Sequence, residues 1–269
     1  MNKRLKMSRT PVRITTRDRS QNWHIENNST FMAKEILKAV QKNDADSVAR
    51  LAAAGAPVNL VNDDNESLLF YSLRHQTGED IPLSLIEAGA DINFISKRSL
   101  PPIVPAIENN KIRCVNEIIK RGINLNISFD GCLKYRSDNY TPLMVAALSG
   151  RKEIAKILIE SGADVNQTNE SGFTALMCAA RIINFDDIGI CEDVEDVVKD
   201  NRGNVVKIIM TAITTYDEDL KAEYMELLKV LISAGADKGK CDKNGKTACN
   251  MTKDLDAKDI LAVMAGKTI

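Results

Sequence analysis

The stretch Thr141-Pro142-Leu143-Met144-Val145-Ala146-Ala147 opens a segment that ends at Gly162-Ala163-Asp164-Val165-Asn166. Thr141 can cap a helix because its hydroxyl accepts a hydrogen bond from a free N–H, and Pro142 suits the first helical position because it lacks an N–H. A second helix is indicated by the spacing of three and four residues between Ile154, Ile157 and Leu158, which places them on one buried face. Gly162 then fits the left-handed conformation that ends a helix. The segment therefore predicts one pair of helices.

The glycine element at the end of this segment recurs along the chain. Its copies stand at 55–59, 89–93 and 162–166, with weaker copies at 122–126 and 235–237. The glycines are separated by 34, 33, 40 and 73 residues, so a basic period near 33 is lengthened by insertions. Each glycine follows an amphipathic stretch, at 48–54, 82–88, 112–121, 152–161 and 224–234. Equal units that each carry an apolar helix face must stack side by side to bury it.

The helix opening also recurs, in weaker form, at 67–69, 101–103, 174–176 and 247–249. The turns before these openings contain residues that tolerate positive φ, namely Asn65, Asn139, Gly172 and Gly245, with Ser99 at this place in the third repeat. An opening, two helices and a terminal glycine at a period of 33 resemble the ankyrin repeat, whose opening reads T-P-L-H-x-A.

The resemblance covers about residues 33–264 and implies an all-α ankyrin-repeat solenoid of about six helix-turn-helix units with β-turn fingers. The histidine of the family's opening is absent here, so we expect the hydrogen bonds that it makes between repeats to be missing. Its replacements are Phe70, Val104, Met144, Met177 and Asn250. The first repeat, 33–62, and the last, 242–264, are expected to be end caps, because an interior repeat would expose an apolar face.

The charge pattern separates a basic arm from a mildly acidic body. Residues 1–20 hold seven Lys and Arg side chains against one Asp, although the whole chain has a net charge of −1. We therefore predict a flexible basic arm over 1–30 and an ankyrin-repeat domain over 31–269. An insertion at about 183–220 interrupts the fifth repeat; its part 184–200 is acidic. Its part 203–215 is apolar enough to predict either an extra helix or a degenerate further repeat.

The resemblance implies that partner contacts come from the turn tips and the first helices, which form a concave surface in the family. Several residues at these positions are apolar or aromatic where a solvated turn would be polar, and such side chains, with Arg, supply most of the binding energy at interfaces. The predicted partner-binding residues are Leu100, Tyr140, Leu148, Phe173, Arg181 and Ile182. The alternative is that they pack against insertions of their own chain.

Catalytic, metal-binding and cofactor-binding sites are not expected. The sequence contains no glycine-rich phosphate loop, no G-x-S-x-G and no H-E-x-x-H motif. It has only two histidines, His24 and His75, and six cysteines without a C-x-x-C pair. Residues 1–20 hold no aromatic stacking partner, so nucleic acid is not an expected ligand. No run of 18 apolar residues predicts a membrane span.

These features predict a non-catalytic, cytoplasmic and monomeric module that binds one or more partner proteins through its turns and first helices, without a small-molecule substrate. One alternative is a secreted or adaptor effector, with a nuclear or host-cell location, whose basic arm and acidic insertion recruit further partners. An enzyme built on repeats is a second alternative, and a self-associating scaffold is a third.

Overall fold

The computed structural model describes residues 12–13, 23–25, 30–75, 78–97, 99–129, 139–183, 198–199, 205–206 and 218–263. It consists of short helices arranged in pairs, together with a few two- and three-residue strands. The chain divides into two compact units, Met1–Asn124 and Leu125–Ile269, which are called here the N-terminal unit and the C-terminal unit.

The N-terminal unit contains three helix pairs. They are α1 (Thr30–Gln41) with α2 (Ala45–Ala53), α3 (Leu68–His75) with α4 (Asp80–Glu87), and α5 (Ile103–Glu108) with α6 (Ile112–Lys120). The second helix of each pair also packs against the second helix of the next pair. Aliphatic residues fill the space between them, and Leu68, Leu85 and Ile103 are fully buried. This stacking removes the apolar faces from water, which is the main stabilising term in a repeat array.

The C-terminal unit contains three further pairs of the same kind. They are α7 (Pro142–Leu148) with α8 (Lys152–Glu160), α9 (Ala175–Ile182) with α10 (Glu218–Ser233), and α11 (Ala248–Met251) with α12 (Leu255–Val263). First helices pack on first helices, and second helices on second helices. Ile154 and Leu158 are fully buried on α8, as their spacing predicts, whereas Ile157 is half-buried. The predicted all-α repeat fold of about six helix pairs is confirmed, with three described pairs in each unit.

The helix openings are capped as the sequence predicts. The hydroxyl of Thr141 accepts a hydrogen bond from the N–H of Met144, and the hydroxyl of Thr174 accepts one from Met177, each at 3.3 Å. Pro142 occupies the first turn of α7. These caps satisfy N–H groups that have no partner inside the helix.

The glycine element ends one helix pair and joins it to the next. The five terminal glycines adopt φ between 83° and 96°, which confirms the left-handed helix ends. The side chain of Asn59 accepts a hydrogen bond from the N–H of Asp91 at 2.8 Å and donates one to the carbonyl of Gly89 at 3.3 Å. Asn166 makes the same two bonds to the following copy of the element, at 2.7 and 3.0 Å. The asparagine of the motif therefore links neighbouring repeats.

Three short strands form an antiparallel sheet within the N-terminal unit. Strand β1 (Val12–Arg13) pairs with β2 (Trp23–Ile25), and β2 pairs with β3 (Val61–Asn62) so that Trp23 lies opposite Asn62. Strands β1 and β2 lie inside the basic arm, where the sequence predicts no regular structure. The flexibility of the arm stays a prediction, because most of residues 1–29 lie outside the described residues.

The insertion contains a strand where the sequence predicts a helix. Strand β4 (Val198–Lys199) pairs with β5 (Val205–Val206) in antiparallel register. The prediction of a helix is therefore wrong at Val205 and Val206, because adjacent β-branched side chains favour extended backbone. The other residues of 203–215, and the acidic residues 184–197, lie outside the part of the chain that the structure describes.

Candidate protein-binding surface

The turns that precede the first helices are closed in the same way in four repeats. In the fifth repeat, the Asn169 side chain accepts a hydrogen bond from the N–H of Phe173 at 2.8 Å, and the Asn169 N–H donates to the Phe173 carbonyl at 3.0 Å. The same main-chain bond closes 62–66, 96–100 and 242–246. We call the turns 62–66, 96–100, 169–173 and 242–246 the second, third, fifth and sixth fingers. Because each finger is closed internally, the side chains at its tip are left to face solvent.

In four repeats, the last residue of the turn before the first helix stands eight residues before a residue in the last turn of that helix, and we call these two residues a finger–helix pair. Tyr140 takes the first of these places in the fourth repeat. The pairs are Glu66 with Arg74, Leu100 with Glu108, Tyr140 with Leu148, and Phe173 with Arg181. Five of the six predicted partner-binding residues belong to these pairs, and Ile182 follows Arg181.

The pair of the second repeat is an ion pair. Glu66 is 5% exposed, and its Oε1 lies 2.7 Å from Nη1 of Arg74. The second carboxylate oxygen accepts a hydrogen bond from Asn62 at 3.4 Å and lies 3.9 Å from Nε2 of His75. The ring of His75 in turn lies 4.6 Å from that of Tyr71. The charge of Arg74 is therefore balanced inside the protein.

The predicted binding residues of the third and fourth repeats are buried. Leu100, Tyr140 and Leu148 are 1%, 6% and 5% exposed. The expectation that they are exposed anchors is therefore wrong. An apolar side chain at these positions is stabilised by removal from water, and each of these three is buried.

The surroundings of Leu148 show how the chain covers this position. The hydroxyl of Tyr224, on α10, donates a hydrogen bond to the Leu148 carbonyl at 2.8 Å. The Tyr224 ring lies so close to Gly150 that an added Cβ would stand 3.0 Å from it. Burial raises the pKa of Tyr224, which keeps its hydroxyl a donor. Sequence reasoning missed Tyr224, because no motif marks a residue that packs across 76 positions.

The pair of the fifth repeat remains at the surface. Phe173 and Ile182 are half-buried and Arg181 is exposed. The guanidinium carbon of Arg181 lies 5.9 Å from the centre of the Phe173 ring, within the range of a cation–π contact. Arg181 forms no ion pair with any residue that the structure describes. Three of the six predicted residues therefore come together as an accessible group.

The fingertips carry exposed polar and charged side chains that differ from repeat to repeat. They are Asp63 and Asp64 in the second finger, Lys97 in the third, Glu170 in the fifth, and Lys243, Asn244 and Lys246 in the sixth. The fifth and sixth fingers touch, since the N–H of Lys243 donates to the Ser171 carbonyl at 3.0 Å. Gly172 lies at this contact with φ of 85°, and an added Cβ would stand 3.0 Å from Asp242 Cα.

Two charged groups of the N-terminal unit, the buried Lys111 and the half-buried Glu79, hold helices together. Glu79 accepts a hydrogen bond from the N–H of Cys114 at 2.8 Å, and Nζ of Lys111 donates to the Gly78 carbonyl at 2.7 Å. Burial lowers the pKa of Lys111, and burial and the nearby Glu79 raise the pKa of the Cys114 thiol. A thiol with a raised pKa is a poor nucleophile. Lys111 and Glu79 therefore have a structural role, because their side chains bond to the main chain of the neighbouring repeat.

The described residues fulfil the requirements of neither a metal site with three ligands nor a membrane-spanning helix. Among the described residues, no three His, Cys, Asp or Glu side chains form a group that could hold a metal ion. No helix in the described ranges is long and apolar enough to cross a membrane.

Helix pairs with fingers, joined by asparagine side chains, define a helical repeat protein. Comparison with known proteins shows which repeats they resemble. The family model for ankyrin repeats, in three copies, matches residues 74–169 and 106–188. The matched stretch, 74–188, is therefore similar to ankyrin repeats. The fold of the chain resembles that of an ankyrin repeat domain from Acinetobacter baumannii AYE, with a TM-score of 0.61 and 20% identity over 86% of this chain and 98% of that one.

Curated relatives match only part of the chain. A glycerophosphocholine phosphodiesterase from Schizosaccharomyces pombe is 34% identical over 34% of this chain and 8% of its own length. A putative ankyrin repeat protein from fowlpox virus is 29% identical over 54% of this chain and 18% of its own length. The chain therefore spans less than a fifth of these two relatives. Ankyrin repeat domains in general are protein–protein interaction modules, and the fold is typically non-enzymatic.

Proposed function

We propose that this protein binds a partner protein through its fingertips and first helices and catalyses no reaction. One observation carries the proposal: the asparagines and threonines that join and cap the helix pairs bond within the fold, whereas fingertip side chains such as Asp64, Lys97 and Lys243 are exposed. Asn59, Asn166 and the capping threonines are all used inside the fold. The exposed tips change from acidic in the second finger to basic in the sixth. A rigid frame that presents different side chains at equivalent positions is suited to selective binding, because little ordering is needed on association.

Phe173, Arg181 and Ile182 are the proposed anchors of this interaction. Aromatic and Arg side chains contribute most at interfaces, and these three are accessible on one finger–helix pair. Leu100, Tyr140 and Leu148 are not among the proposed anchors, because each is buried.

Affinity capture from the native lysate with the full chain tests the function. The double variant Phe173→Ala/Arg181→Ala is expected to lose the captured partner while its thermal unfolding stays close to that of the natural protein. Lys97→Ala, an exposed fingertip residue of the third finger, is a control for unspecific surface effects. A partner that is retained by the double variant would contradict the proposed anchors. Turnover of a substrate by the purified chain would contradict the non-catalytic role.

Recruitment of further partners by the basic arm and the acidic insertion is the second candidate function. Its residues, in 1–29 and 184–217, lie mostly outside those that the structure describes. Deletion of residues 2–20 followed by localisation imaging would reveal a targeting role of the arm.

A further inference from the structure

We infer that the partner contributes an acidic peptide segment with an apolar side chain, and that it binds to the fifth and sixth fingers. This inference rests on the protein-binding function proposed above and specifies the chemistry of the partner. The surface concerned, called here the basic finger surface, consists of Phe173, Arg181, Ile182, Lys243 and Lys246.

The accessible charge of this surface is positive. Arg181, Lys243 and Lys246 are exposed, and none of them forms an ion pair with a described residue. The nearby carboxylate of Asp242 is buried and accepts hydrogen bonds from the N–H groups of Asn244 and Lys246 at 2.9 and 2.8 Å. These bonds direct its oxygens into the turn, so it is not available to a partner.

Glu170 is the exposed carboxylate of the fifth fingertip, and it is engaged by a neighbour. Its Oε1 accepts a hydrogen bond from the side-chain amide of Asn139. Within the described part of the chain, the two fingers and the helix that follows the fifth therefore combine three cations outside any ion pair with two carboxylates, Glu170 and Asp242, and both carboxylates already accept hydrogen bonds. This imbalance favours a ligand with carboxylates of its own.

The two fingers hold the cations in fixed relative positions. The bond from the Lys243 N–H to the Ser171 carbonyl, at 3.0 Å, ties one finger to the other. The close approach at Gly172 shows that their backbones are in contact. A preorganised set of charges loses little entropy when a ligand binds.

The contact between Arg181 and Phe173 orients the guanidinium without neutralising it. A cation–π contact leaves the N–H groups of Arg181 free to form charge-assisted hydrogen bonds with a carboxylate. Phe173 and Ile182, both half-buried, leave apolar area beside this charge. The arrangement matches an acidic residue next to an apolar one.

The second finger carries the opposite charge. Its tip exposes Asp63 and Asp64, and its arginine, Arg74, already binds Glu66 at 2.7 Å. An acidic segment is therefore repelled by the second finger and attracted by the fifth and sixth. The selectivity follows from the fingertip charges alone.

A synthetic peptide of alternating Glu and Phe residues, labelled with fluorescein, tests the inference by fluorescence anisotropy with the full chain. We expect binding that weakens several-fold from about 0.05 to about 0.3 M salt, and no binding of the peptide with Lys in place of Glu. Lys243→Glu should weaken binding about fivefold or more, and Lys97→Glu, the same change at the same position of the third finger, less than about twofold. Equal effects of the two variants would overturn the inference.

A second variant copies the arrangement of the second repeat. Phe173→Glu places a carboxylate eight residues before Arg181, as Glu66 stands before Arg74, and is expected to remove most peptide binding. Because Phe173 is only half-buried, the substitution should lower the stability little. Thermal unfolding of the variant, measured beside the binding, distinguishes a loss of binding from a loss of fold. Unchanged binding would contradict the role of Arg181.

Photo-cross-linking places the peptide on the chain. Labelling within 169–183 or 242–247 supports the inference, whereas labelling of the basic residues 1–20 overturns it. Binding that appears only after deletion of residues 184–200 would show that the chain's own acidic insertion is the occupant, which also overturns it. If a protein partner is captured but the acidic peptide does not bind, this inference fails while the proposed function stands.

Discussion

The second and fifth repeats place an arginine at the same position of the first helix and use it differently. In the second repeat, Arg74 is bound at 2.7 Å by the buried carboxylate of Glu66. In the fifth repeat, Arg181 lies over the ring of Phe173 and forms no ion pair with a described residue. The first arrangement balances the charge within the fold, and the second presents it to solvent. The last residue of the finger, Glu66 or Phe173, therefore determines whether the arginine charge is available to a partner.

The fourth repeat adds a third arrangement at these positions. Tyr140 and Leu148 are both buried, and the main chain of Tyr140 exchanges two 3.1 Å hydrogen bonds with Phe129. The same register thus supports an ion pair, an apolar contact within the core and an exposed cation–π contact. Substitutions at these positions and in the fingers should separate the three arrangements by their effects on stability.

Tyr140→Ala and Phe173→Ala compare a buried aromatic residue with a half-buried one at the same position. Tyr140→Ala should lower the free energy of unfolding by about 3–5 kcal/mol, because it leaves a cavity in the core. Phe173→Ala should cost about 1 kcal/mol or less, because its ring is already partly in water. Urea denaturation measures both values. Equal losses of stability would contradict the difference in burial between Tyr140 and Phe173.

Gly172→Ala and Gly245→Ala test the contact between the fifth and sixth fingers. Both glycines have positive φ, so each alanine should cost about 1–2 kcal/mol in backbone strain. At Gly172 the added Cβ would also meet the backbone of Asp242 at 3.0 Å, whereas at Gly245 it meets no atom within 4 Å. We therefore expect Gly172→Ala to be the more destabilising by about 1 kcal/mol or more. Thermal unfolding of the two variants, side by side, decides the order.

Glu66→Gln tests whether the ion pair of the second repeat stabilises the fold. The change removes the charge that balances Arg74 but keeps the size of the side chain, and it should cost about 1–3 kcal/mol because Glu66 is buried. Glu87→Gln, at an exposed position of α4, is the matched control and should change stability by less than about 0.5 kcal/mol. The comparison fails if chemical denaturation gives the same value for both variants.

Asp242→Asn compares two ways of closing a finger, since Asn62 and Asn169 occupy the same position in the second and fifth fingers. Burial raises the pKa of Asp242, but hydrogen bonds from the Lys246 and Asn244 N–H groups outweigh it and lower the pKa below its ordinary value. The stability from this carboxylate is therefore complete above its ordinary pKa and is lost as the pH falls through the lower, folded value.

The expected result is a stability difference between the natural protein and Asp242→Asn that shrinks below about pH 4. Melting temperatures measured for both proteins between neutral and acid pH give this difference. A difference that grows at acid pH would contradict the sign of the pKa shift.

The sequence predicted the frame of the protein well because the frame depends on local rules. Thr141 and Thr174 cap helices through residues three positions away, and the terminal glycines need only a backbone conformation that other residues avoid. These requirements are fulfilled within a few residues, so they leave a readable pattern. The accessible group of Phe173, Arg181 and Ile182 was found for the same reason, since it follows from the repeat register.

The burial of Leu100, Tyr140 and Leu148 could not be derived from the repeat pattern. An apolar residue at a fingertip position is equally consistent with a binding anchor and with a core residue. The outcome depends on contacts that are distant in sequence, such as that of Tyr224 with the carbonyl of Leu148. The strand at Val205–Val206 was missed similarly, because apolar content alone does not separate a helix from a strand.

The family, the positions of the helices and the glycine ends can be read from the amino-acid order, since they follow from a period and from local backbone preferences. Which side chains of the repeated register face solvent, and which cations are already balanced by carboxylates, depends on the folded arrangement of the repeats. Glu66 and Phe173 stand at the same position of their repeats, yet one removes a charge from the surface and the other leaves it exposed. The physical reason is that burial and ion pairing depend on neighbours in space, whereas helix formation depends on neighbours along the chain.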